Sequence, residues 1–195
     1  MSKANPQGKG VVPVLRDWSS AQPATVQPKS AAHVLSDYFT SLLVLSAEFA
    51  FQPRQGVIYY LYRSSGNWRL SLISPTEWHA DRPEVFVGKC QLTPDMTWQL
   101  EPREDLKSER DLVDALVDFH EDFREHLSTA DSFEEGLPFY VAQLPYYRRL
   151  FASGLASSLS KSISLAGLEH HSQQQWLSTL TRQQSPLIAL EQGRD

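Results

Sequence analysis

Between Gly56 and Leu100 the chain alternates apolar and polar residues in short runs separated by turn signals, the period-two pattern of strands. Val57 to Arg63 and Trp68 to Ser74 are rich in aromatic and branched side chains. Ser64-Ser65-Gly66-Asn67 between them supplies a glycine free to take positive φ, so the two runs are expected to form a hairpin. Alternation puts Trp68, Leu70 and Leu72 on one face with Val57, Tyr59 and Leu61, and Arg69, Ser71 and Ile73 on the other. Ser74-Pro75-Thr76-Glu77 joins an N-cap serine, a proline at the first helical position and a glutamate three residues after the cap. It predicts a single helical turn ending near Trp78. Val85 to Leu92 reads as a third strand with Phe86, Cys90 and Leu92 inward. Pro94-Asp95 then turns the chain into a fourth strand holding Met96, Trp98 and Leu100 inward. The expected result is a four-stranded antiparallel meander with one aromatic face.

Helical periodicity flanks this sheet. Ser30 can cap a helix running from Ala31 to about Phe51, in which Val34, Leu35, Tyr38, Leu42, Leu45 and Phe49 recur at three- and four-residue steps and should face the sheet. Pro53 and Gly56 stop it. From Arg103 to Ser128 a second pattern aligns Leu106, Val113, Leu116, His120, Phe123 and Leu127, widened by Leu112 and Phe119. Its other side carries Asp111, Asp114, Asp118, Glu121, Asp122 and Glu125, either a solvated face or a docking surface for a basic partner. After a break at Ala130 to Gly136, Pro138 and Pro145 stand where helices start, which predicts a short helix and then a longer one. Ser158 to Leu165 also alternates as a strand would; helix is the expected state. Ala152, Gly154, Ala156 and Ser157 are small enough to let another helix come close. A last helix is expected over Leu168 to Arg182. The chain therefore reads as an α+β protein: a flexible arm over 1–30, an α+β core domain over 31–135, a helical extension over 136–182 and a tail over 183–195.

Within the sheet, Phe51-Gln52-Pro53, Tyr59, Leu61-Tyr62, Gly66, Ser71, Ile73-Ser74-Pro75, Glu77-Trp78, Leu92, Asp95 and Trp98 together resemble the core of the family catalogued as domain of unknown function 2452. The resemblance covers residues 31 to 101, and the Ser-Pro-x-Glu-Trp element is its most specific part. It implies no activity and carries over no catalytic residue. The C-terminal extension falls outside it.

Composition narrows the function classes. A chain of 195 residues, 41% hydrophobic and 21% charged, suits one soluble globular body. No apolar run approaches the ~18 to 20 residues of a membrane span, and Met1 to Lys9 lacks an apolar signal core. Cys90 has no second cysteine to pair with, which fits a reducing compartment and a cytoplasmic location. A net charge of −5 argues against broad affinity for nucleic-acid phosphates. The negative charge is concentrated over 102–135, where twelve acids face four bases.

Catalytic signatures are missing from this reading. His120 and His126 are six residues apart, about 240° around a helix, and His170 and His171 are adjacent, so neither pair shares a face. His33 is expected to face solvent. Cys90 lies inward without a base, no Gly-x-Ser-x-Gly turn or phosphate-cradling glycine loop is present, and neither a metal nor a cofactor is expected. Interaction candidates remain. Leu15 and Trp18, in an apolar stretch of the arm, either pack on the protein's own surface or dock on another protein. Tyr146, Tyr147, Arg148 and Arg149 are residue types that concentrate at interface hot spots, or else a helix start with snorkelling arginines. The second sheet face, with Ile58, Tyr60, Tyr62, Arg69, Ile73, Val85, Val87 and Lys89, has aromatic and basic groups able to stack single-stranded nucleic acid, although helices covering both faces is the simpler expectation. The function expected is non-enzymatic protein–protein interaction, with a separate protein or a second copy as partner. The alternatives are nucleic-acid binding through Tyr60, Tyr62, Arg69 and Lys89, and a small-molecule or enzymatic site between sheet and C-terminal helices with His120, Tyr147 and Arg148 as its polar groups.

Overall fold

Ser30 opens the first long helix, α1 (Ala31–Ser46), by accepting a hydrogen bond from the His33 amide at 3.3 Å. The computed structural model describes residues 15–77, 84–138 and 143–182. Val34, Leu35, Tyr38, Phe39, Leu43, Val44 and Leu45 of α1 are all buried, so the helix is enclosed on most of its circumference. It lies between the sheet and three other helices: α2 (Arg110–Thr129), α3 (Tyr146–Leu165) and α4 (Gln173–Arg182).

α1 stops at Ser46 rather than near Phe51 because the next residues have another task. Ala47 is extended, and the Glu48 amide donates to the Trp68 carbonyl at 2.8 Å while the Leu70 amide donates to Glu48 at 3.0 Å. Glu48 thus occupies the outer edge of strand β2 (Asn67–Ser71). Phe51, freed from the helix, stacks on Tyr59 at 5.3 Å.

The sheet is four-stranded and antiparallel, as expected, with β1 (Ile58–Ser64), β3 (Val85–Leu92) and β4 (Trp98–Pro102) joining β2. Its order is β2-β1-β3-β4, not the sequential order of a meander. The reason is the occupied edge: with Glu48 bonded to β2, the third strand adds to the free side of β1. β2 also ends early. Its Ser71 hydroxyl accepts from the Ile73 amide and the Tyr62 hydroxyl donates to the Ile73 carbonyl at 2.8 Å, which turns the chain and leaves Leu72 56% exposed instead of in the core. In β3 the pairing jumps from Leu61↔Gly88 to Tyr62↔Phe86, so Val87 is the extra residue of a bulge. Val87 is thereby buried, and Phe86 turns to the other face against Tyr60 and Tyr62, the reverse of the expected assignment.

The turns follow their residue types. Glu77 caps the single turn Pro75–Glu77 by accepting from the Ser74 amide at 3.0 Å and the Ser74 hydroxyl at 2.7 Å, the glutamate half of the expected box; Trp78 lies outside the described residues. Between β3 and β4, Asp95 Oδ1 accepts from the Thr97 hydroxyl at 2.8 Å and from Thr93, and Met96 takes a positive φ of 66°.

The helices pack on the side of the sheet that carries Tyr59, Leu61, Trp68, Leu70, Val87, Cys90 and Trp98. No described helix covers the opposite face, where Ile58 is 50% exposed; the expectation of helices on both faces does not hold for the described residues. Within the helical layer, α2 begins at Arg110, since Leu106 belongs to a separate short turn, Leu106–Ser108. α3 starts directly after Pro145 and runs unbroken through Ser158 to Leu165, so the strand alternative falls away. Any short helix after Pro138 would fall on residues outside the description. Leu150, Phe151, Leu155, Leu159 and Ile163 of α3 and Trp176 and Leu180 of α4 belong to the same buried cluster as the sheet. Residues 15–20 are helical, and the strand of chain behind them runs along α3, with Ala21 fully buried against Gly154 and the Ser162 hydroxyl donating to Gln27 at 2.8 Å. No helix among the described residues is long and apolar enough to cross a membrane.

Cys90 lies in the buried cluster shared by the sheet and the helices, and burial pushes its thiol well above the usual range. The native chain is therefore expected to resist iodoacetamide at mildly alkaline pH and to react fully once denatured; rapid labelling of the folded protein would show that this cluster opens.

Candidate functional site

Two helical stripes face each other across a groove. α1 contributes Tyr38, Leu42 and Leu45 at steps of four and three residues, and α2 contributes Phe119, Asp122, Phe123 and His126 at the same kind of spacing. Leu137, Pro138, Leu144 and Ala152 of the extension close the groove into a space of about 410 Å³.

Tyr38 and His126 make a polar spot in its floor. The Tyr38 hydroxyl donates to the Gly136 carbonyl, and His126 Nε2 stands 2.8 Å from the same oxygen, which fixes the chain reversal after α2. Burial raises the Tyr38 pKa, so its hydroxyl stays protonated. Phe123 and Phe133 meet the Tyr38 ring edge-on at 5.2 and 5.8 Å, and Trp176 stacks on Phe133 at 4.2 Å. What the groove presents outward is therefore an apolar wall between two exposed carboxylates, Asp122 and Glu135, neither of which is ion-paired to a described residue. Asp111, Asp114, Asp118, Glu121 and Glu125 extend the exposed acidic surface along α2.

Of the acidic residues read from sequence as a possible docking surface, Asp122 lines this groove; none of the aromatic and basic interaction candidates does. Leu15 and Trp18 are 60% and 51% exposed, and Tyr146, 41% exposed, joins their helical turn through its hydroxyl, 3.4 Å from Asp17 Oδ2. Tyr147, Arg148 and Arg149 follow at the start of α3, and Arg148 reaches the Ala47 carbonyl at 3.4 Å. His120 lies on α2 against the Phe39 ring at 5.6 Å, so His120, Tyr147 and Arg148 do not line the pocket that the fold forms. On the open sheet face Tyr62 is buried, with its hydroxyl bonded to Ile73. Arg69 is paired with Glu84 at 2.7 Å and Lys89 faces Glu101 at 4.0 Å. That face offers little free positive charge for phosphates. The sequence did carry one signal of the groove: Phe119, which widens the apolar stripe of α2, both meets Phe39 of α1 at 5.7 Å and lines the groove.

A protein-family model described as "Protein of unknown function (DUF2452)" matches residues 22–120, extending past 31–101 on both sides. No solved structure matches the chain.

Proposed function

The chain belongs to the DUF2452 family, and from that premise, which assigns no activity, we propose that it is a non-enzymatic interaction protein whose groove takes an amphipathic helix of a partner, apolar on one side and basic on the other. One observation carries the reading: an apolar groove of about 410 Å³ lies beside Asp122 and Glu135, which have no ion pair among the described residues, and along α2, which also exposes Asp111, Asp114, Asp118, Glu121 and Glu125. A leucine or aromatic anchor would fill the space between α1 and α2, and lysines or arginines flanking it would meet Asp122, Glu135 and the row from Asp111 to Glu125. A cytoplasmic setting accords with a lone buried thiol.

A fluorescent peptide of leucine and lysine at amphipathic helical spacing is the direct probe. It should bind saturably, more tightly than a scrambled peptide of the same composition, and more weakly as salt rises. Reversing both rim charges, D122K with E135K, should weaken it about tenfold, or about 1.4 kcal/mol. Leu42→Ala should also reduce affinity without changing charge. Equal affinity for the scrambled peptide, or for either variant, would refute docking in the groove.

A further inference from the structure

A second cavity, of about 310 Å³, lies at the other end of α1 between the N-terminal segment and the β3–β4 turn. At its floor Lys29 Nζ sits 2.5 Å from Asp37 Oδ2 and 2.5 Å from Asp95 Oδ2. The two carboxylates differ in what they have left to offer. Asp95 has spent its second oxygen on Thr93 and Thr97; although burial opposes ionisation, the bonds from Lys29 and those hydroxyls hold its pKa down to about 2. Burial raises the Asp37 pKa despite Lys29, and its Oδ1 has no hydrogen-bond partner among the described residues. One ammonium hydrogen of Lys29 is likewise unspent, since an ammonium has three. At the mouth, the exposed side chains of Thr25, Gln27 and Gln99 make no hydrogen bond to a described residue.

We propose that this cleft binds a small, neutral, multiply hydroxylated molecule of about monosaccharide size. Lys29 and Asp37 place a donor beside an acceptor, an arrangement that a hydroxyl satisfies because it accepts and donates at once. The amides of Gln27 and Gln99 repeat that pairing at the rim. An anion would meet two carboxylates, and a cation would meet the ammonium between them. An apolar ligand would leave the floor unsatisfied. The volume lies at the low end of the ~300–1,000 Å³ range of ligand sites. Every lining residue falls inside the family-matched segment, whereas Leu137, Leu144 and Ala152 of the groove fall outside it. The cleft is thus independent of the groove and of what docks there.

The test is an amide NMR titration of the full chain with D-glucose, D-ribose and myo-inositol, each alone, and with sodium phosphate and methylammonium chloride as charged controls. At least one polyol should give saturable shifts centred on Thr25, Gln27, Thr97 and Gln99. Gln27→Ala and Gln99→Ala remove exposed side chains that make no hydrogen bonds to described residues, so the fold is retained. Each should weaken the response roughly two- to tenfold, the loss of about one hydrogen bond. No saturable shift with any of the three polyols, a stronger response to either charged control, or unchanged affinity in both variants would overturn the proposal. Peptide binding in the groove should be the same in Gln99→Ala as in the parent, which separates the two sites.

Discussion

A chain ended after Glu135 is expected to lose its folded state. The residues removed include Leu150, Phe151, Leu155, Leu159, Ile163, Trp176 and Leu180, each no more than 5% exposed and all in one cluster with the sheet and α1. At roughly 1.5–3 kcal/mol for each fully buried apolar side chain, their burial amounts to more than about 10 kcal/mol. Even reduced for a compact unfolded reference, that is comparable with the whole stability of a typical domain, about 5–15 kcal/mol. The truncated chain would also bare the face of α1 that α3 and α4 cover. Circular dichroism should show no cooperative thermal transition, and the product should aggregate. A soluble fragment that melts cooperatively would show instead that residues 31–135 form a domain by themselves.

The second large effect is expected from the smallest possible change to α3. Gly154→Ala in a helix interior would by itself stabilise the protein by about 1 kcal/mol. Here the added Cβ would fall 2.1 Å from the Ala21 carbonyl oxygen and 3.2 Å from Met96 Cε. The Met96 methyl can move aside; the Ala21 backbone, fully buried and held by its amide to the Asp17 and Trp18 carbonyls, cannot do so cheaply. Overpacking of this kind costs about 1–3 kcal/mol or more. A net loss of about 2 kcal/mol would lower the melting temperature by about 4–8 °C. The sign decides the matter, because a raised melting temperature would mean that the N-terminal segment is not seated on α3.

What the sequence made legible was local. The β1–β2 hairpin turn, the Ser74–Glu77 cap and the starts of α1 and α3 are each specified within a few residues, and each is found where its residue types put it. What it concealed depends on partners distant in the chain. The order of the strands follows from Glu48 occupying the edge of β2, some twenty residues away, and the reversed faces of Phe86 and Val87 follow from one unpaired residue in β3. The groove arises only when Leu137 and Ala152 reach the stripes of α1 and α2. The cleft joins Lys29 to Asp95 across 66 positions with no motif near either. Periodicity reports which side of an element is apolar; it is silent on how much of that side its neighbours will leave uncovered.

The occupied edge of β2 also governs how this sheet could grow. With Glu48 bridged to the middle of β2, that margin is partly taken, and the open one is β4, whose outer side pairs with no strand among the described residues. A protein with two open margins can add neighbour to neighbour without limit, the geometry of fibrils. One with a single open margin is used up after one joining event: two copies meeting β4 to β4 about a twofold axis would form a closed pair with no free edge left. Among the described residues, the short stretch after α1 thus blunts one margin of the sheet and leaves growth through it to the other.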